Sequence, residues 1–141
     1  MSSLDPRNMK RNADAVVAKG MDRLGKAAGF ELGRRIMRRT PVDTGRARAN
    51  WNASIGSPDA STTESTSSMT ATARLVSTAA ELQLFKGQEF WVTNGLPYIQ
   101  ALEDGHSTQA PRGFMVTGAV SEMKPWLERI GARISREGLN G

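Results

Sequence analysis

The sequence predicts a single α+β domain: a long N-terminal helix and a C-terminal helix packed on a small antiparallel or mixed sheet, with a flexible Ser/Thr-rich loop. Three observations carry this. Apolar residues recur at helical spacing over residues 12–39 and again over 111–136, they alternate with polar ones over 46–55, and 141 residues is the length of one domain. The expected organisation is a flexible segment at 1–11, one folded unit at 12–137 and a frayed tail at 138–141. Hydrophobic residues are 38% of the chain, which implies a modest core that a partner surface would help to complete.

The first helix is expected from Asn12 to Arg39, because Val17, Met21, Leu24, Ala28, Leu32 and Ile36 form one stripe. Gly25, Gly29 and Gly33 lie four apart on one side of it, a small-residue face that admits close packing. Arg34, Arg35, Arg38 and Arg39 suit the negative end of the helix dipole, and Pro41 after Thr40 marks the stop. Asp43-Thr44-Gly45 then reads as a tight turn, with Asp43 accepting backbone hydrogens and Gly45 free to take positive φ.

From Arg46 to Ile55 the alternation predicts a strand, with Ala47, Ala49, Trp51, Ala53 and Ile55 on the covered face and Arg46, Arg48, Asn50, Asn52 and Ser54 on the polar one. Ala60 to Ser68 is almost all Ser and Thr and is expected as an exposed loop. Thr70 to Leu84 reads as a helix with Ala73, Val76, Ala80 and Leu84 on one face and Leu75 and Leu82 beside it. Glu89 to Thr93 is a short strand, with Phe90 and Val92 on one side and Trp91 on the other. Asn94-Gly95 breaks it, Pro97 opens a short helix carrying Tyr98, Ile99 and Leu102, and Gly105 ends that helix. The last helix is expected from near Pro111 to about Arg136, kinked or broken at Pro125. Two strands do not make a stable sheet alone, so a missed strand or a neighbouring subunit is expected to extend it.

The chain carries a formal charge of +5, unevenly placed: residues 1–50 hold 12 Lys or Arg against 5 Asp or Glu, and the remainder 7 against 9. A basic front half suits either an acidic protein surface or nucleic acid. Cysteine is absent, which excludes disulfides and thiolate metal sites and fits a reducing compartment. The start of the chain is read as no signal peptide, and no membrane association is expected.

Chemistry has few candidates. His106 is the sole histidine, beside Glu103, Asp104 and Gly105 in sequence, and the group reads as a solvated loop ahead of a metal site. The Pro41–Arg46 turn lacks the glycine number, spacing and lysine of a nucleotide loop. No catalytic residue, cofactor or metal is therefore assigned. Arg34, Arg35, Arg38, Arg39, Arg46 and Arg48 are grouped as a positive patch for assembly, facing either a neighbour's carboxylates or DNA, against the plainer reading that they are separately solvated. Trp51 and Tyr98, each a large apolar body with a polar handle, suit a core edge or an interface and are added to that candidate surface.

Thr40-Pro41-Val42-Asp43-Thr44-Gly45-Arg46, leading to Asn50-Trp51, resembles the opening motif of the tail-completion and neck proteins of tailed bacteriophages, the HK97-type tail-component family. A second block is also similar to that family: Val92-Thr93-Asn94-Gly95-Leu96-Pro97-Tyr98-Ile99-Gln100-Ala101-Leu102-Glu103-Asp104-Gly105-His106-Ser107, continuing through Gln109-Ala110-Pro111-Arg112-Gly113-Phe114-Met115. Asp104 and His106 depart from the aromatics common there. The resemblance implies a non-enzymatic structural protein of the virion, assembled in the host cytoplasm. It implies a hexameric ring joining the tail tube to the head connector, with a tail terminator or tail tube protein and a head-completion or connector protein as partners and passive contact with DNA in the lumen. The label also covers tail terminators and minor tail components, and a basic nucleic-acid-binding module is the alternative of another class. Pro41, Asp43, Thr44, Gly45, Asn94, Gly95, Pro97, Gly105 and Pro111 are the motif positions expected to shape turns.

Overall fold

The structure, a computed structural model, describes residues 5–140, the side chains of 138–140 excepted. Residues 1–4 of the expected flexible segment and Gly141 of the expected frayed tail lie outside the described residues. Helix α1 spans Pro6–Arg39, α2 Arg46–Ala49, strand β1 Trp51–Ile55, α3 Met69–Glu81, β2 Phe90–Asn94, α4 Ile99–Glu103 and α5 Val116–Asn140, with a 3-10 turn at Leu84–Lys86.

Helix α1 begins at Pro6 rather than Asn12. Asp5 supplies the reason: its carboxylate accepts the Arg7 N–H at 2.8 Å, and proline suits the first helical position. At 34 residues the helix is about 51 Å long. Its C-terminal half is embedded and its N-terminal half is not: Ile36 and Met37 are buried, whereas Met9, Val16 and Val17 are half exposed. The glycine face is filled by side chains of this same chain. A Cβ on Gly25 would lie 2.8 Å from Leu84 Cβ, one on Gly29 would press on the Phe90 ring at 3.3 Å, and Gly33 leaves room for the Leu75 side chain.

The fold-class expectation is corrected in its packing. The sheet is accompanied by five helices among the described residues rather than by the N- and C-terminal helices alone, and α5 lies chiefly along α1 rather than on the sheet. The sheet is only β1 and β2, antiparallel, with Trp51 opposite Asn94 and Ile55 opposite Phe90. Helix α3 fits between α1 and β1. Its buried face is Ala71, Leu75 and Ala79, continued by Leu82, while Val76 of the expected face is 51% exposed. The notch at Gly33 favours this rotation, because it admits the Leu75 side chain. Ile36, Met37, Trp51, Ala53, Leu75, Met115 and Ala119 form the core between them.

The expected strand at 46–55 is also corrected. Its first half is α2, entered through Gly45 at φ +94° and closed by the Ala49 N–H donating to the Gly45 carbonyl at 3.0 Å. Arg-Ala-Arg-Ala is helix-favouring, and one helical turn is too short for alternation to distinguish it from a strand. Helix α5 starts five residues after Pro111, continues through Pro125 as one helix, and extends past the expected stop at Arg136 to Asn140.

Candidate assembly cleft

The Ser/Thr-rich segment, expected as a flexible arm, lies along the polar side of β1 as a bound strap. Asn50 Nδ2 donates to the Thr63 carbonyl at 3.0 Å, and Asn50 Oδ1 accepts the Thr63 N–H at 2.7 Å. Asn52 Nδ2 donates to the carbonyls of Asp59 and Ser61 at 2.9 and 2.7 Å, and Ser54 Oγ donates to the Ser57 carbonyl at 2.7 Å. Residues 57–63 therefore run antiparallel to β1, bridged by side-chain amides and a hydroxyl where a third strand would use backbone groups. Arg74 of α3 closes the far side, reaching Asn52 Oδ1 at 3.1 Å and Asp59 at 3.3 Å. Ser61 holds the Asp59 carboxyl below its ordinary pKa through its hydroxyl and backbone N–H, with Arg74 adding to the effect.

One glycine from each sequence motif lies under this strap. A Cβ on Gly45 would collide with the Thr66 carbonyl oxygen, and one on Gly95 with that of Ala60. Asn94 ties the motifs together, donating from Nδ2 to the Ala47 carbonyl at 2.8 Å while its Oδ1 accepts the Leu96 N–H at 3.1 Å. On the other side the motifs face each other across an open cleft of about 690 Å³, lined by Pro41, Asp43–Ala47, Tyr98, Leu102 and His106–Gln109. Gln109 spans it at one end: Oε1 accepts the Val42 N–H and Nε2 donates to the Val42 carbonyl, both at 3.1 Å. Tyr98 remains 40% exposed at its wall.

The turn positions divide by what they do. Thr44 Oγ1, not Asp43, accepts the Arg46 N–H at 3.2 Å; Asp43 is exposed and makes no hydrogen bond among the described residues. Gly105 takes φ +89° against the backbone of Arg112, and the Pro111 carbonyl accepts the Phe114 N–H at 3.1 Å. Pro97 sits exposed in the turn before α4. Glu103, read from sequence as part of a solvated loop, instead caps α5: its oxygens accept the Val116 and Thr117 N–H groups at 2.8 and 3.1 Å. The spacing of 13 residues across a loop left no local signal for that cap.

The arginines do not form one free patch. Glu31, only 9% exposed, holds Arg34 at 2.6 Å and Arg35 at 2.7 Å. The hydrogen bond from Arg34, with Arg35 in support, keeps the Glu31 carboxyl below its usual value despite burial. Arg35 also reaches Glu122 of α5 at 2.7 Å, and Arg39 pairs with the same carboxylate, donates to the Phe114 carbonyl at 2.9 Å and stacks over the Phe114 ring. Arg46 binds Glu64 of the strap at 3.0 Å. Arg48 closes the end of α1, donating to the Arg38 and Thr40 carbonyls at 3.1 and 3.0 Å. Arg38 alone of the six has an exposed side chain without a hydrogen bond or ion pair among the described residues. Trp51 is no outer surface either: it is 5% exposed and donates from Nε1 to Thr40 Oγ1 at 2.8 Å.

Among the described residues no cluster of three His, Asp or Glu side chains could hold a metal ion, and no helix is long and apolar enough to cross a membrane. Comparison with family models, with characterised proteins and with solved structures finds no match to this chain.

Proposed function

We propose that this chain is a structural virion protein of a tailed phage, a ring-forming neck or tail-completion subunit that joins the tail tube to the head connector. The observation that carries the reading is the meeting of the two motif blocks in space. Residues 41–47 and 98–109, more than fifty positions apart, form the two walls of one cleft, and Gly45 and Gly95 of the two blocks both make way for one strap. An interaction motif split in sequence has a reason to stay together if its parts build one surface. The half-exposed Met9, Val16 and Val17 on the outer half of α1 add apolar surface that a neighbouring subunit would cover.

The nucleic-acid alternative is the weaker one, because five of its six arginines bond to groups within the chain. The test is a phage lacking this chain, viewed by negative-stain electron microscopy. The expected lysate holds filled heads and separate tails, and adding the purified protein restores joined particles. Normal yields of joined virions without the chain would overturn the proposal. Tight, salt-sensitive DNA binding by a persistent monomer that never associates with heads or tails would replace it with the nucleic-acid reading.

A further inference from the structure

Strand β2 has one free edge. Gly56 and Glu89 continue the register of the β1–β2 pair, and the Gly56 N–H donates to the Glu89 carbonyl at 2.9 Å. Bonded and non-bonded pairs alternate in an antiparallel ladder, so Trp91 and Thr93 turn their backbone groups toward β1. The backbone groups of Phe90, Val92 and Asn94 therefore point the other way, and none of them has a hydrogen-bond partner among the described residues. One face of β2 packs on the core through Phe90 and Val92, but among the described residues no strand other than β1 pairs with it. Such an edge recruits an extended chain unless charge or proline blocks it, and Phe-Trp-Val-Thr-Asn contains neither.

We infer that this edge pairs with the same edge of a second copy, antiparallel about a two-fold axis at Val92. The occupant is a second copy because the edge carries no charge to repel its own copy, and a two-fold pairing at Val92 gives each outward backbone group of Phe90, Val92 and Asn94 a partner. With Val92 opposite Val92, Phe90 falls opposite Asn94, and these pairs exchange the backbone bonds that β2 leaves open. Trp91 then falls opposite Thr93 of the other copy in the closer, non-bonded pair, an aromatic beside a β-branched residue. Trp91 is 37% exposed in the single chain, on the sheet face away from the core, where the partner's Thr93 would cover it. Glu89, the nearest charge, meets Gly95 rather than another carboxylate. The two-stranded sheet becomes four-stranded, which removes the size deficit of an isolated hairpin-like pair. An isologous contact of this kind closes at two copies. It describes the free subunit, blocks open-ended strand addition, and stands independently of the virion proposal.

The test uses the full chain in sedimentation equilibrium together with disulfide trapping. The wild type is expected at twice the chain mass of 15.3 kDa. Val92→Pro removes an outward N–H and alters one side chain at the margin of the core, while leaving the bonds of Trp91 and Thr93 to β1, so it is expected to raise the dimer dissociation constant at least about tenfold with unchanged helical circular dichroism. The natural chain has no cysteine, so Trp91→Cys with Thr93→Cys introduces the only thiols. Mild oxidation should cross-link the double variant into dimers far faster than either single variant, because only residues 91 and 93 meet across the axis. A monomeric wild type at high micromolar concentration overturns the inference, as does a dimer that Val92→Pro leaves intact or cross-linking that is equal in singles and double. Should Val92→Pro fail to fold, the trapping comparison decides: no preferential cross-link means no such pairing.

Discussion

Asn50 pairs with Thr63 as one backbone residue pairs with another, its amide oxygen accepting the Thr63 N–H at 2.7 Å and its amide nitrogen donating to the Thr63 carbonyl at 3.0 Å. Asn50 is 1% exposed and also donates to the Arg46 carbonyl at 2.8 Å. Asn50→Ala leaves these groups without a partner and should cost about 1–3 kcal/mol. Asn50→Asp should cost more, because a carboxylate would face two carbonyl oxygens in place of a donor. Urea denaturation measures both, and hydrogen exchange at the Thr63 amide should accelerate in both.

Gly45 and Gly95 set how closely the strap can approach. Alanine at Gly95 collides with the Ala60 carbonyl, and alanine at Gly45 collides with that of Thr66 while also holding φ +94°. Each substitution should lift the strap rather than unfold the core, since its contacts are polar and lie outside the buried cluster. Cleavage after Glu64, whose side chain is 91% exposed, reports the opening. A glutamate-specific protease should cut either variant at least about tenfold faster than wild type, equivalent to roughly 1.4 kcal/mol of lost closure.

Legibility in the sequence followed the range of the interaction. Phe90 and Val92 opposite Trp91, the stop at Thr40-Pro41 and the positive φ of Gly45 are set within a few residues and were readable. The face of α3 was not, because Leu75 and Val76 are adjacent and only the notch at Gly33, some forty positions away, selects between them. The strap hid for a related reason: Asn50 and Asn52 look like a solvated strand face until their partners in residues 59–63 are known. The same holds for Arg35 and Arg39, whose shared partner Glu122 lies more than eighty residues downstream.

Glu122 fastens α5 to α1 through Arg35 and Arg39, whose side chains are 16% and 20% exposed. Glu122→Ala strips the shared acceptor from two partly buried guanidinium groups and should cost about 1–3 kcal/mol. Glu137 bridges Arg23 and Arg133 farther along the same helix, in the open. Glu137→Ala should cost clearly less than Glu122→Ala. Parallel urea titrations check the ranking, and equal costs would mean that burial does not distinguish the two junctions.

Glu31 makes the same junction acid-sensitive. Its carboxyl is held below the ordinary glutamate value by the Arg34 hydrogen bond first and by Arg35 as well. A depressed folded pKa adds stability that is fully present above the unfolded value, about 4.3, and is lost as pH falls through the lower folded value. Thermal midpoints should therefore decline below about pH 4.3. In Glu31→Gln this decline should be shallower, with a lower midpoint at neutral pH.

Arg38 separates assembly from folding. Reversing Arg46 or Arg48 would damage the monomer, because Arg46 holds the strap at Glu64 and Arg48 closes the end of α1. The Arg38 side chain is exposed and makes no such bond, so Arg38→Glu should cost the fold no more than about 1 kcal/mol, chiefly through the helix dipole. If the basic end of α1 meets an acidic neighbour or the phosphates of DNA, the reversal turns attraction into repulsion where nothing inside the chain compensates. The expected outcome is a protein with near wild-type melting that restores several-fold fewer joined particles when added to separated heads and tails. Counting joined particles in electron micrographs checks it, and wild-type yields with Arg38→Glu would show that this guanidinium is ordinary solvated surface.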